Sequence, residues 1–342
     1  MIFEMFTDER ASGTDERASG TDERASGTDE RASGTDDGRQ GASGGAEAEV
    51  PSGDGASHLA ADELVLEYPT SEEPVVDGES IVAEPGAVTA LIGPNGSGKS
   101  TLLKGLADQL APEAGRVLIG GEAVHRMDRK ALAKRLGLLS QDSTAPDSIT
   151  VEDLAYHGRY PHRGFFEHVT AADHEAVDRA IEFAGCDHLR DREVGQLSGG
   201  QRQLAWIAMV LAQDTDVLLL DEPTTFLDMH HQLEVMEIIE TLRAESDVTV
   251  VVVLHDIEQA ARLADRMVAM QDGEIRARGT PEEVVTEELL AEVFRVDAAV
   301  EHTDRGPKIT PLRPRNDPGE GEATGETEAE SEGRNDAPAV RR

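Results

Sequence analysis

Apolar and polar positions alternate in blocks through the middle of the chain. Short apolar runs predict strands near residues 64–68, 88–92, 116–119, 136–139, 216–220, 248–254 and 266–270. Three of them, Val88-Thr89-Ala90-Leu91-Ile92, Val217-Leu218-Leu219-Leu220 and Val248-Thr249-Val250-Val251-Val252-Val253-Leu254, are apolar but for a single threonine in the first and the last. That is the pattern of strands covered on both faces of a parallel sheet. Helices are expected after Lys99, Met229 and Asp256, so the core reads as an α/β fold. Between Gln141 and Leu197 the pattern turns helical. Thr170-Ala171-Ala172-Asp173 has the form of a helix cap, and Val177, Ala180, Ile181 and Ala184 recur at helical spacing as a core-packing stripe.

Candidate chemistry sits at the ends of these runs. Gly93-Pro94-Asn95-Gly96-Ser97-Gly98-Lys99-Ser100 follows the strand at 88–92 and fits GxxxxGK[ST]. Glycines let the backbone turn its N–H groups toward a polyphosphate, and the helix that follows adds the field of its N-terminus. Lys99 is placed to reach the β and γ phosphates and Ser100 to ligate Mg²⁺. Asp221 ends the run at 217–220, so its carboxylate emerges beside the glycine loop as a Mg²⁺ partner. Glu222 comes next and points toward an attacking water as general base, while His255 closes the strand at 248–254, within reach of a γ-phosphate. Gln141 stands alone after a short apolar run, and Leu197-Ser198-Gly199-Gly200-Gln201 precedes a helix expected to end near Leu211.

With these residues together, the chain resembles the ATP-binding cassette (ABC) ATPases over residues 59–300. The glycine loop, continued through Thr101, matches the family's Walker A; Gln141 matches its Q-loop, Leu197 to Gln201 its signature, Leu218 to Glu222 its Walker B, Leu227-Asp228 its D-loop and His255 its switch histidine. The resemblance implies a P-loop NTPase core with a mixed sheet, an N-terminal antiparallel β part and an inserted α-helical subdomain near 142–200. It implies ATP and Mg²⁺ as ligands, Gln141 as a third Mg²⁺ contact, and Tyr68 as the aromatic that stacks on adenine. The signature reads as a second anion site at a helix start, which in this family serves the nucleotide of a partner, so two copies sandwich two ATP molecules. Leu204 stands where many relatives have Arg, Phe226 replaces a small residue, and residues 69–73 lack the usual glycine.

Two stretches narrow the resemblance to the ATPases of ferric siderophore importers, with cobalamin importers close by: residues 149–162, which include Arg159-Tyr160-Pro161-His162, and residues 205–213. An iron-chelate importer ATPase is therefore expected, working with polytopic permease subunits and, indirectly, an extracellular substrate-binding protein. The alternatives are a cobalamin or haem importer ATPase and, in another class, a soluble ABC ATPase outside transport. The last usually carries coiled-coil insertions or two fused cassettes, and this sequence has neither.

Charge alters the picture of the surroundings. The net charge is −37, and residues 63–315 alone hold 46 acidic against 24 basic side chains. Such self-repulsion is tolerable where screening shrinks to about 3 Å near 1 M salt, so a high-salt cytoplasm is expected. The charge argues against nucleic acid and anionic lipid as direct partners, since both would be repelled. One cysteine, Cys186, excludes an internal disulfide or a cysteine-clustered metal site and is read as helix-end packing. No apolar run approaches the roughly 18 residues of a membrane helix, and the N-terminus has no secretion signal, so the protein is expected at the cytoplasmic membrane face through its permease. Residues 7–34 are four copies of TDERASG without a large apolar side chain, so residues 1–58 are expected to be a disordered acidic tail. Residues 301–315 are read as a short extension and 316–342 as a second disordered acidic tail.

Overall fold

The computed structural model describes residues 59–164 and 167–315; both acidic tails read from the sequence lie outside the described residues. A central six-stranded sheet has the order β10-β9-β3-β8-β7-β6. Its strands β3 (Val88–Ile92), β6 (Leu136–Leu139), β7 (Val217–Asp221), β8 (Thr249–Val253) and β9 (Arg266–Gln271) run parallel, and β10 (Glu274–Gly279) closes the edge antiparallel. A second sheet, β2-β1-β4-β5, is antiparallel and formed by β1 (Leu59–Leu66), β2 (Val76–Ala83), β4 (Ala114–Ile119) and β5 (Glu122–Ala123).

Every residue of β3, β7 and β8 is buried because both faces of the central sheet are covered. One face, with Ala90, Leu218, Leu220, Val250 and Val252, packs into a core shared with α5 (Gly199–Ala212), α6 (Met229–Glu245) and α7 (Ile257–Leu263). The other, with Leu91, Leu219, Val251 and Val253, meets α1 (Lys99–Leu106) and the antiparallel sheet. Period-two alternation along each strand divides its side chains between the two cores.

A helical part leaves the sheet after β6 and returns at β7. It contains α3 (Val151–His157), α4 (Ala171–Phe183) and the start of α5; a short helix α2 (Arg129–Ala133) precedes β6. The Thr170 cap forms as a reciprocal pair, Thr170 Oγ1 accepting from Asp173 N and Asp173 Oδ2 accepting from Thr170 N at 2.9 Å, and Val177, Ala180, Ile181 and Ala184 are all buried. Cys186, three residues past the end of this helix, donates its thiol to Ile181 O. Arg159 and Asp173 form a buried pair at 3.0 Å, and Arg159 Nη1 also donates to Ala212 O at 2.9 Å. His162 Nε2 lies 2.7 Å from Gln213 O, and Gln213 Nε2 donates to Leu136 O at 3.0 Å. The segment after α3 is thus tied to the end of α5, and the end of α5 to β6.

The structure departs from the sequence reading at several elements. β1 begins five residues early and stops before Tyr68, because its irregular half, with Glu63 at φ 47°, is held by pairing to β2 and β4 on both sides. Strands β2 and β10 carry no continuous apolar run: Gly78 interrupts one, and the other alternates exposed and half-buried residues along a sheet edge. Past α8 (Pro281–Val284) and α9 (Glu287–Glu292), β11 (Val296–Thr303) and β12 (Gly306–Pro314) form a hairpin packed on α7, α8 and α9, so the boundary drawn at residue 300 falls inside a strand. No helix among the described residues is long and apolar enough to cross a membrane.

Candidate functional site

The site is assembled at the C-terminal ends of β3, β6, β7 and β8. From β3 the chain turns sharply at Gly93, where φ is 151° and an added Cβ would stand 2.2 Å from Met270 O and 2.7 Å from Ser97 Oγ. The loop closes at Gly98, left-handed at φ 97°, which caps α1. Lys99 is buried beneath the loop and donates from Nζ to Gly93 O and Pro94 O, each at 2.9 Å, with Ser97 Oγ at 3.4 Å. Burial lowers its pKa, while the nearby carboxylates of Glu222 and Asp221 oppose the shift.

Ser100, next in α1, donates from Oγ to Asp221 Oδ1 at 2.9 Å. Burial raises the Asp221 pKa against the Ser100 bond, and the Glu222 charge adds to the rise. Glu222 occupies a left-handed backbone conformation, φ 52°, which costs a non-glycine residue of order 1–3 kcal/mol. Three groups grip its carboxylate. Gln141 Nε2 donates to Oε2 at 2.9 Å, Thr225 Oγ1 donates to the same oxygen at 3.1 Å, and His255 Nε2 lies 2.7 Å from Oε1. Side chains after three different strands therefore orient one oxygen pair.

Between these groups lies a cleft of about 440 Å³, within the size range of small-molecule sites. Asn95, Gly96, Ser97, Gly98, Lys99, Ser100 and Thr101 form one wall, with Gln141, Glu222 and His255 facing them. Val75, Thr225 and Phe226 also line it and were not singled out as site residues from the sequence. Thr225 was legible from its place three residues after Glu222; Val75 comes from the segment before β2, which only pairing brings near. Gly93 and Pro94 contribute through their carbonyls and Asp221 through Ser100. Tyr68 is not part of the lining and touches the loop through a 3.4 Å contact of its hydroxyl with Thr101 Oγ1.

Leu197, Ser198, Gly199, Gly200 and Gln201 lie outside this cleft, as does Asp228. Ser198 caps α5 in a reciprocal pair with Gln201, and Ser198 and Gly199 are exposed. Asp228 caps α6, accepting from His231 N at 3.0 Å. Leu204 is buried in the core, so the position carries packing rather than a polar contact. Phe226 is 96% exposed.

A glycine-loop cradle, a buried lysine, a serine–aspartate oxygen pair and an oriented glutamate together make a site for hydrolysing a nucleoside triphosphate. The family model described as ABC transporter matches residues 76–225. The chain belongs to the ATP-binding proteins of ABC transporters, ATPases whose hydrolysis is coupled to transport. Among its relatives, the ferric enterobactin transport ATP-binding protein FepC of Escherichia coli (strain K12) is 44% identical over 241 residues, 70% of this chain and 88% of the relative. A probable siderophore transport system ATP-binding protein, YusV of Bacillus subtilis (strain 168), is 43% identical over 72% of this chain and 89% of its own length. A solved ABC transporter described as of the metal-chelate type, in an inward-facing conformation, superposes with a TM-score of 0.65 at 26% identity, covering 75% of this chain and 98% of that one.

Proposed function

We propose that this ATPase powers the uptake of an iron(III)–siderophore complex through separate polytopic permease subunits, which receive their cargo from an extracellular substrate-binding protein. The observation that carries the reading is the Glu222 carboxylate, held by Gln141, Thr225 and His255 across a cleft from Lys99 and the Ser100–Asp221 pair. The cargo rests on relatives named for ferric enterobactin and siderophore transport. In this mechanism Gly93 through Thr101 wrap the phosphates and Lys99 neutralises the β and γ groups. Glu222 takes a proton from water as its oxygen attacks the γ-phosphorus, and the bond to the bridging oxygen breaks to leave ADP and phosphate. Gln141 and His255 hold the base on its line of approach.

The Ser100 and Asp221 oxygens are a hard donor pair that would suit Mg²⁺, the Gln141 amide oxygen would serve as a third ligand, and burial gives Asp221 a reason to prefer a cation beside it. When bound, Mg²⁺ supplies charge neutralisation across the β and γ phosphates. Tyr68 stacks on adenine. Two copies work together, each presenting Leu197 to Gln201 and Asp228 to the nucleotide of the other, and the complex sits at the cytoplasmic face of the membrane through its permease. The acidic composition supports a high-salt interior.

Glu222→Gln tests the catalytic assignment: ATP binding is retained while turnover falls by about 10²–10⁴-fold. Near-normal hydrolysis would remove Glu222 as base. Deleting the gene should reduce uptake of a labelled ferric siderophore and spare labelled cobalamin; the reverse would move the cargo to cobalamin. Equal ATPase rates in dilute and molar KCl would defeat the high-salt reading.

A further inference from the structure

His231 lies outside the nucleotide cleft and no part of the proposed hydrolysis uses it, yet it packs the start of α6 against the start of α5. It sits in the first turn of α6 with a mostly buried side chain, 20% exposed. Asp228 Oδ1 accepts both His231 N at 3.0 Å and the ring Nδ1 at 2.9 Å, so the Nδ1 position carries the proton and the ring cannot swing. The face of that ring lies on Gly200. A Cβ built at Gly200 would meet Cδ2 and Cγ of His231 at 2.2 Å, whereas one built at Gly199 would meet nothing within 4 Å. Gly200 has no left-handed φ, so its backbone accepts any L-residue, and within the chain the imidazole is what demands glycine there. The neighbouring Gln232 completes the bracket: its Nε2 donates to Leu227 O at 3.2 Å, and its Oε1 accepts from Gln259 Nε2 at 3.2 Å.

We infer that His231 is a positioning residue: its imidazole, pinned by Asp228 and seated on Gly200, locks the first turn of α5 to the 227–228 loop so that both meet a second copy as one rigid surface. Of the two signature glycines, Gly200 is then glycine to admit His231, while Gly199 answers to what lies outside the chain. The inference rests on the proposed sharing of nucleotides between two copies. Its energetic logic is preorganisation: elements already fixed relative to each other lose less freedom when the partner binds.

The test uses the full chain. Gly200→Ala should lower steady-state ATPase activity by at least about tenfold, and Gly200→Ala/His231→Ala should recover to within about threefold of His231→Ala alone. In a Glu222→Gln background, His231→Ala should bind ATP with unchanged affinity as a monomer but weaken ATP-dependent dimerisation by about tenfold, measured by sedimentation. His231→Asn, whose amide nitrogen can replace Nδ1 toward Asp228, should keep dimerisation within about threefold and guards against a folding failure of the alanine variant. Failure of the double variant to recover, or dimerisation untouched by His231→Ala, overturns the inference and leaves the proposed function standing. A Glu222→Gln parent that never dimerises with ATP overturns the shared-nucleotide reading and the inference with it.

Discussion

Replacing Arg159 with methionine would strand the Asp173 carboxylate inside the helical part. The two side chains are 7% and 5% exposed and 3.0 Å apart, so removing the guanidinium leaves a charge that water reaches poorly. Breaking such a pair from one side costs about 3–5 kcal/mol, because the survivor keeps its desolvation penalty without its partner. The Thr170 bonds to Asp173 remain and draw the cost toward the lower end, while loss of the Arg159 Nη1 bond to Ala212 O adds to it. Against a folding stability of about 5–15 kcal/mol this is a large fraction, equivalent to a fall in melting temperature of roughly 6–20 °C for a domain of this size. Differential scanning calorimetry of Arg159→Met, Asp173→Leu and the double variant isolates the pair. The double should regain most of the loss, since an apolar replacement of both partners carries no stranded charge. A single-variant loss below about 1 kcal/mol, or a double no more stable than Arg159→Met, would refute the claim that the pair is a closed, desolvated unit.

Acid should dissolve the same contact in a defined window. Burial alone would raise the Asp173 carboxyl, but bonds from Thr170 and Arg159 bring it down from 3.8 to about 2. A depressed folded pKa stabilises above the ordinary value and is lost as pH falls toward the folded one, so the stability gap between wild type and Asp173→Asn should shrink between pH 3.8 and about 2; a gap unchanged down to pH 2 contradicts this. Gly93→Ala should weaken ATP binding sharply, because the new methyl would press on Met270 O, a backbone atom of a fully buried strand residue that cannot step aside. Overpacking of this kind costs about 1–3 kcal/mol, read here as an ATP affinity about 5- to 160-fold lower by calorimetry. Wild-type affinity would show that the loop tolerates a Cβ at its first turn.

The glycine loop, the Asp221-Glu222 pair, His255 and the fully buried strands could be read from the chain because each is written in contiguous residues. A strand covered on both faces is apolar at nearly every position, and a phosphate loop must hold its glycines in a fixed local order, so neither depends on a distant partner to be recognised. Edge strand β10, irregular β1 and the β11–β12 hairpin left little trace, since the pairing that forms them lies elsewhere in the chain. Tyr68 shows the same limit: its aromatic ring was visible, but the contact of its hydroxyl with Thr101, on the cleft wall, is decided by the fold. The three-donor grip on Glu222, the burial of Arg159 against Asp173 and the seat of His231 on Gly200 join residues 14 to 81 positions apart, except for the local Thr225 bond to Glu222. Hydrogen-bond geometry and steric exclusion act over a few ångströms, and only the folded chain decides which distant residues come that close.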